Sequence, residues 1–351
     1  MTIRLLTFLL LAALFSPALG QTFPGKEWET CAPEAAGLSA EKLAALRELV
    51  GGRGCVVRHG KLAFAWGDQT RSQDVASAMK PVISTLLFLA IQEGRLAGPD
   101  ALVADFEPRL KTLNNGKDAT MTWRHLASQT SGYGLAEHPG AAYSYNDFAL
   151  ALYYDTLMEK VFQQPGFDVF RRRLAGPMQF QDAISFDKPK PGRLALSVRD
   201  FARFGLLALH KGKWRDQQLV PASAFETMFT SPIPASTPLT GKQDAEMLPG
   251  QRSLGGTKSI TPNGPGVYSF NWWLNRTDKE GRRALPTAPL DAILASGHGA
   301  KRTLWVIPSL DLVVSWNDSL VDDHDKSPGN PGTRLNRAAR LLMEAVVDAK
   351  K

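Results

Sequence analysis

Cysteine is nearly absent from this chain: Cys31 and Cys55 are the only two in 351 residues. Two cannot build a Cys-rich zinc site. The six histidines (His59, His125, His138, His210, His298 and His324) show no HExxH or comparable ligand spacing. No metal and no cofactor is therefore expected. The phosphate-cradling loops GxGxxG and Walker A are missing, and so is the GxSxG nucleophile elbow, which argues against an α/β-hydrolase. Neither sign of charge dominates: 41 Lys+Arg against 34 Asp+Glu give +7. The densest basic run, Arg171-Arg172-Arg173, reads as a solvated helix face. No nucleic-acid motif accompanies it, so no nucleic-acid partner is expected. With 44% hydrophobic and 21% charged residues, the composition excludes intrinsic disorder, a collagen-like repeat and a coiled coil. The length suits two domains or one large one, with a substantial core.

A long apolar run stands at the N-terminus. Arg4 supplies a positive n-region, Leu5 to Phe15 an h-region, and Ala18-Leu19-Gly20 a small-x-small site. Residues 1–20 read as a signal peptide cut before Gln21, which implies a periplasmic or secreted protein. The competing reading is an uncleaved anchor, for which the run is short. No integral membrane span is expected after cleavage. In an oxidising compartment two readings of the cysteines stand side by side. One is a Cys31–Cys55 disulfide, worth about 3 kcal/mol by chain entropy. The other is two buried thiols.

Ser39 is a good N-cap for a helix over the next dozen residues, in which leucines recur at three and four. Cys55-Val56-Val57, a His59-Gly60 turn and Leu62 to Trp66 read as a hairpin. A long apolar helix runs from about Ser77 to Gln92. Helices and Gly/Pro loops fill residues 100–250, with a capping-box-like start at Ser197-Val198-Arg199-Asp200. Residues 231–266 read as a long irregular connection. Strands return at Ser269 to Leu274, at Thr303 to Ile307 and at Leu312 to Trp316, and an amphipathic helix runs from Thr333 to about Ala349. Strands at both ends with helices between them predict a mixed α/β (α+β) fold. One antiparallel sheet would draw on 21–72 and 266–351, flanked by terminal helices, with a mostly helical domain inserted at 73–265 and a cleft between the two.

Ser-x-x-Lys occurs three times, at Ser39/Lys42, Ser77/Lys80 and Ser185/Lys188. Ser39 is already explained as a cap, and Ser185 falls in a loop or short strand. Ser77 differs, because Pro81 fits only the first turn of an unbroken helix and so pins Ser77 to its N-terminus. Three residues apart on one face, the Lys80 ammonium can reach the Ser77 hydroxyl, where helix N–H groups favour a developing anion. A serine nucleophile needs a base, and lysine serves only if its pKa falls toward neutrality. The plain alternative is a capping serine followed by a surface lysine.

Ser77-Ala78-Met79-Lys80-Pro81 resembles the nucleophile helix of the serine β-lactamase and penicillin-binding superfamily. Four further segments resemble that family in order. Met121 to Gly132 is similar to T-x-R-H-L-L-x-x-T-S-G, and Pro139 to Asp147 to P-G-x4-Y-x-N. Leu196 to Gly205 is similar to S-A-R-D-L-A-R-F-G. Ala295-Ser296-Gly297-His298-Gly299 resembles the third, Lys-Thr-Gly or His-x-Gly, element. The likeness spans about 35 to 320 and is closest to the class C β-lactamase-like esterases and amidases, including nylon-oligomer hydrolases.

The resemblance implies a β-lactamase-like fold and roles for named residues. Ser77 is the acylated nucleophile and Lys80 its base partner. Tyr145, five residues after Gly140, is the proton shuttle, with Tyr143 as rival. His298 positions substrate from the sheet edge. The oxyanion hole comes from the Ser77 N–H and a strand N–H near Ala300 or Lys301. Trp123, His125 and Trp273 fall to core or positioning roles. Two positions depart from the family. Its Asn is Asp147 here, which either raises the Lys80 pKa or merely caps a helix. The third element reads His298-Gly299-Ala300, with alanine at its last glycine, a change a strand position tolerates. The expected function is an exported serine hydrolase of a small ester, amide or lactam. A D-Ala-D-Ala peptidase or true β-lactamase is the rival enzyme, and a non-catalytic ligand-binding protein on the same scaffold the rival of another class.

Overall fold

A computed structural model describes residues 22–256, 258, 263–322 and 329–347. The signal-peptide reading of residues 1–20 lies outside them. Apolar residues run almost unbroken through the strands, so both faces of each strand must be covered. β1 (Arg53–Arg58) and β2 (Lys61–Trp66) form the expected hairpin. Two-residue strands β3 (Gln73–Asp74) and β4 (Ala195–Leu196) pair with each other, as do β5 (Lys213–Trp214) and β6 (Gln217–Gln218). β7 (Tyr268–Ser269), β8 (Trp272–Leu274), β9 (Ile293–Gly297), β10 (Arg302–Ile307) and β11 (Leu312–Asn317) complete a seven-stranded sheet of order β2-β1-β11-β10-β9-β8-β7, antiparallel throughout. Its strands come from both ends of the chain.

The helices are α1 (Ala40–Val50), α2 (Lys80–Gln92), α3 (Trp123–Ala127), α4 (Asp147–Asp155), α5 (Gly166–Phe170), α6 (Val198–Leu209), α7 (Ala222–Thr230) and α8 (Arg334–Ala345). Ser39, Ser197 and Thr333 cap α1, α6 and α8, each accepting a backbone N–H three residues on. The Asp200 carboxylate does not complete a capping box; it accepts the Gln181 and Asp182 N–H groups instead. Alternation sorts the side chains between two layers. Val56, Val314, Trp305 and Trp316 pack with α1 and α8 on one face, while Cys55, Val57, Leu304 and Val313 pack with the helical part on the other. On that second face α6 lies so close that a Cβ on Gly205 would stand 2.5 Å from Val313 Cγ1 and 2.8 Å from Leu304 Cδ1.

Several sequence expectations are corrected. Of the two cysteine readings the unpaired one stands, with Cys55 buried and Cys31 only half-buried. Cys55 faces the helical layer, donating to the Val198 carbonyl at 3.6 Å, and Cys31 packs on the opposite face, so their Cβ vectors cannot converge. The stretch 269–274 is two short strands, because Phe270 and Asn271 take φ +44° and +69° and turn the chain back. The sequence pattern suggests one helix from Asp147 to Val161, but it is α-helical only to Asp155 and widens into a π turn at Thr156–Phe162. The last helix ends at Ala345, ahead of the expected Ala349. Arg173, read as solvated, is largely covered by its pair with Glu93 and by the Phe162 ring.

Candidate active site

The second Ser-x-x-Lys pair is built by a sharp change of course between β3 and α2. Gln73 and Asp74 pair with β4, and the Val75 N–H donates to the Leu194 carbonyl. Ala76 then turns left-handed, φ +51°, at a cost of about 1–2 kcal/mol for a non-glycine residue. A 3-10 turn, Ala76–Met79, carries Ser77, and α2 begins at Lys80 with Pro81 in its first turn. This puts Ser77 at the N-terminus of the helical run, as Pro81 requires, though its own turn is tighter than α.

Here the Lys80 ammonium, almost wholly buried, donates to Ser77 Oγ at 2.7 Å. Asp147 Oδ1 faces the same ammonium at 3.2 Å, and the ammonium lies 4.4 Å from the Tyr145 ring centroid. Neither of the other pairs makes such a contact. Lys42 reaches Glu344, and the Ser185 hydroxyl donates to Asp187. Burial pulls the Lys80 pKa down, but Tyr145 and Asp147, by charge and hydrogen bonding, more than reverse this and leave it raised. The fall toward neutrality expected of a lysine base does not occur, and Lys80 rests as an ammonium. Tyr145 and Asp147 together are the reason, and the helix N-cap is Asn146, whose amide oxygen accepts the Phe148 and Ala149 N–H groups.

Tyr145 rather than Tyr143 meets the ammonium. Tyr143 is buried in a cluster with Ile233 and Tyr268, under a chain segment so near that a Cβ on Gly264 would meet its ring at 2.1 Å. Tyr145 stays half-exposed, near-parallel to Trp273 at 6.5 Å and edge-on to Tyr268. Trp273 is thus a site neighbour, whereas Trp123 is core. His125 completes the capping box of α3 with Thr122, and burial lowers its pKa.

His298, Gly299 and Ala300 do not lie on a strand. They form the turn between β9 and β10, with φ +52°, +60° and +66°. Alanine therefore occupies a left-handed position, contrary to the strand reading that made it harmless. Its carbonyl is held by Trp316 Nε1 at 2.8 Å. His298 is exposed in the turn, and the Lys301 N–H is engaged with the His298 carbonyl at 3.1 Å. The turn nonetheless adjoins the nucleophile, because Gly297 packs where a Cβ would stand 2.5 Å from the Val75 carbonyl and 3.0 Å from the Ala78 nitrogen.

Sequence reasoning passed over two residues at this site. Asn271, in the tight turn, donates to the Lys80 carbonyl at 3.2 Å and to Ser84 Oγ at 2.9 Å, fixing the start of α2. Asp74 accepts the Ala76 N–H at 2.9 Å. An Asx residue two before a small residue and three before the serine is a turn signal that could have marked it. Among the described residues no group of three or more His, Cys, Asp or Glu is placed to hold a metal ion, and no helix is long and apolar enough to cross a membrane.

A family model described as Beta-lactamase matches residues 40–317. No curated protein matches the chain by sequence. Among solved structures, a Bacillus anthracis protein assigned as a 6-aminohexanoate-dimer hydrolase superposes with a TM-score of 0.64 at 14% identity, covering 94% of this chain and 90% of its own. A beta-lactamase from Mycobacterium bovis gives 0.60 at 17%, covering 86% and 99%. A D-stereospecific amidohydrolase from Streptomyces gives 0.54 at 17%, covering 80% and 95%.

Proposed function

The chain belongs to the beta-lactamase family of serine hydrolases, and from that premise we propose that it is exported and hydrolyses a small ester, amide or lactam through an acyl-enzyme at Ser77. The observation that carries the reading is the 2.7 Å contact of Lys80 Nζ with Ser77 Oγ inside a buried cluster that also holds Tyr145 and Asp147. Ser77 Oγ attacks the substrate carbonyl carbon. The buried ammonium stabilises the alkoxide as its proton leaves, and Asp147 balances that ammonium. In the reactive form the Lys80–Tyr145 pair has released one proton to solvent; it takes the Ser77 proton at the Tyr145 oxygen and then delivers it to the leaving oxygen or nitrogen. The acyl ester forms as the substrate's C–O or C–N bond breaks. Water, deprotonated through the same pair, releases the acid and restores Ser77. The half-exposed aromatic surface of Tyr145 and Trp273 beside the nucleophile suits a small organic acyl group.

The test is an active-site fluorophosphonate with peptide mapping, beside a panel of an activated ester, an amide and nitrocefin, on wild type and Ser77→Ala. Labelling at Ser77 and turnover lost in Ser77→Ala are expected. A folded wild type that leaves Ser77 unlabelled sinks the reading, as does equal labelling of Ser77→Ala. Export predicts a mature protein beginning at Gln21 when isolated from its host, read by N-terminal sequencing. A second reading, a non-catalytic ligand-binding protein, is favoured by Asp147, which together with Tyr145 holds the Lys80 pKa up. It predicts ligand binding that survives Ser77→Ala and no hydrolysis of any activated ester.

A further inference from the structure

The route into the nucleophile turn leaves one backbone link to a side chain. Strand pairing orders Gln73 and Asp74, and the Val75 N–H is taken by Leu194. The helical ladder resumes when the Ala78 N–H reaches the Val75 carbonyl at 3.2 Å. Between the two stands Ala76, left-handed and non-glycine, whose N–H is taken at 2.9 Å by Asp74 Oδ1. The other oxygen of that carboxylate, Oδ2, is gripped by Arg193 and, at 3.3 Å, by Arg302. Asn317 donates to the Asp74 backbone carbonyl at 3.3 Å. Arg193 precedes β4 and Arg302 opens β10, so the nucleophile strand, the helical part and the sheet converge on one carboxylate.

We propose that Asp74 is the positioning residue of the nucleophile. One oxygen holds Ala76 in the strained conformation that aims Ser77. The other, through Arg302, ties that turn to the β9–β10 turn packed against it. This rests on Ser77 being the nucleophile. The geometry favours it over an ordinary surface ion pair. An ion pair needs only the carboxylate–guanidinium contacts, whereas here the same carboxylate also closes an Asx turn onto a backbone N–H that a left-handed alanine presents. Gly297 makes the second half specific. With no room for a Cβ against Val75 and Ala76, the residues after it sit directly on the pinned turn, and Arg302 follows five residues later. Losing Asp74 should therefore misplace Ser77 and slow acylation while leaving substrate affinity nearly unchanged, because Asp74 itself touches no substrate.

The experiment compares wild type, Asp74→Asn, Asp74→Ala and the double variant Asp74→Ala/Ala76→Gly. Three quantities are read: the second-order rate of Ser77 labelling by a fluorophosphonate, the thermal midpoint, and amide exchange of the peptide spanning 74–79. A misplaced nucleophile predicts labelling slower by about 100-fold in Asp74→Ala, with faster exchange of that peptide in a protein that is still folded. Asparagine keeps an acceptor for the Ala76 N–H and loses only the charge, so its loss is intermediate. Glycine adopts φ > 0 without help, so Ala76→Gly recovers labelling in the double variant. General destabilisation would not be relieved this way. Wild-type labelling in Asp74→Ala, unchanged exchange, or no recovery in the double variant overturns the proposal. If Asp74→Ala does not fold, Asp74→Asn and Arg302→Met decide it, and a wild-type rate in both overturns it. If wild-type Ser77 itself is not labelled, the hydrolase reading fails, and the exchange comparison still decides the positioning.

Discussion

Lys80 faces a hydroxyl, a carboxylate and an aromatic ring from a position with almost no access to water. Burial disfavours its charge, and the partners win. Asp147 is the partner that a single substitution can neutralise at nearly constant shape. Asp147→Asn removes a cause that raises the Lys80 pKa, so that pKa falls. If activity needs one proton to be missing from the Lys80–Tyr145 pair, the ascending limb of the kcat/KM profile moves to lower pH in Asp147→Asn. A limb that stays in place, or moves up, shows that Asp147 does not set the protonation of the pair. The same sign governs stability: a raised lysine contributes stability that is complete below its unfolded pKa and is lost as pH rises through the folded one. Asp147→Asn should therefore weaken the fold at neutral pH while it sharpens the base.

Between α6 and the sheet, Gly205 is where packing overrules propensity. Alanine gains about 1 kcal/mol in a helix interior. A methyl 2.5 Å from Val313 Cγ1 meets a stiff β-branched side chain, and such overpacking costs about 1–3 kcal/mol. Gly205→Ala should lower the thermal midpoint by a few degrees, and a rise would mean that α6 can slide off the sheet. On opposite sides of the sheet, Cys31 and Cys55 predict two free thiols in denatured, unreduced protein and a thermal midpoint insensitive to reductant. The elements legible in the sequence are those whose cause is local: the Ser39, Ser197 and Thr333 caps, the hairpin turning at His59-Gly60, and the helix start at Pro81. Phe270 and Ala300 were illegible because neither residue favours φ > 0. Each turn is held from afar, one by Asn271 on Lys80 and Ser84, the other by Trp316 on the Ala300 carbonyl. The site followed the same rule. The Ser77/Lys80 pair, three residues apart, could be read. The meeting of Lys80 with Asp147, 67 positions away, came through the resemblance alone, and Asp74's two arginines came through nothing in the sequence.

Across the molecule, four buried tyrosine hydroxyls and one buried thiol move in one direction. Burial pushes Cys55 from 9.0 to about 12 and Tyr133 from 10.0 to about 12. It raises Tyr153, Tyr154 and Tyr268 as well. Lys80, though pulled down by burial, is carried upward by its partners. A group whose folded pKa lies above its unfolded value keeps its proton in the native state while the unfolded chain releases it. Its stability contribution is complete below the unfolded pKa and is lost as pH rises toward the folded one. For these groups that window opens near pH 9 with the thiol, continues near pH 10 with the phenols, and reaches about 12. The paired carboxylates act at the opposite end. Glu93, Asp100 and Glu107 are held low chiefly by Arg173, Arg124 and Arg109, and their contribution falls away only in acid. The thermal midpoint should therefore be level from pH 7 to about 9 and then fall continuously to pH 11. Tyr153→Phe removes one such phenol, whose hydroxyl makes a long 3.5 Å contact with Ser84 Oγ, and should make the decline above pH 9 shallower. The measurement is a calorimetric pH series on both proteins. A wild-type midpoint that holds through pH 11, or parallel declines in the two, would mean that the interior admits enough water to ionise these groups in the native state.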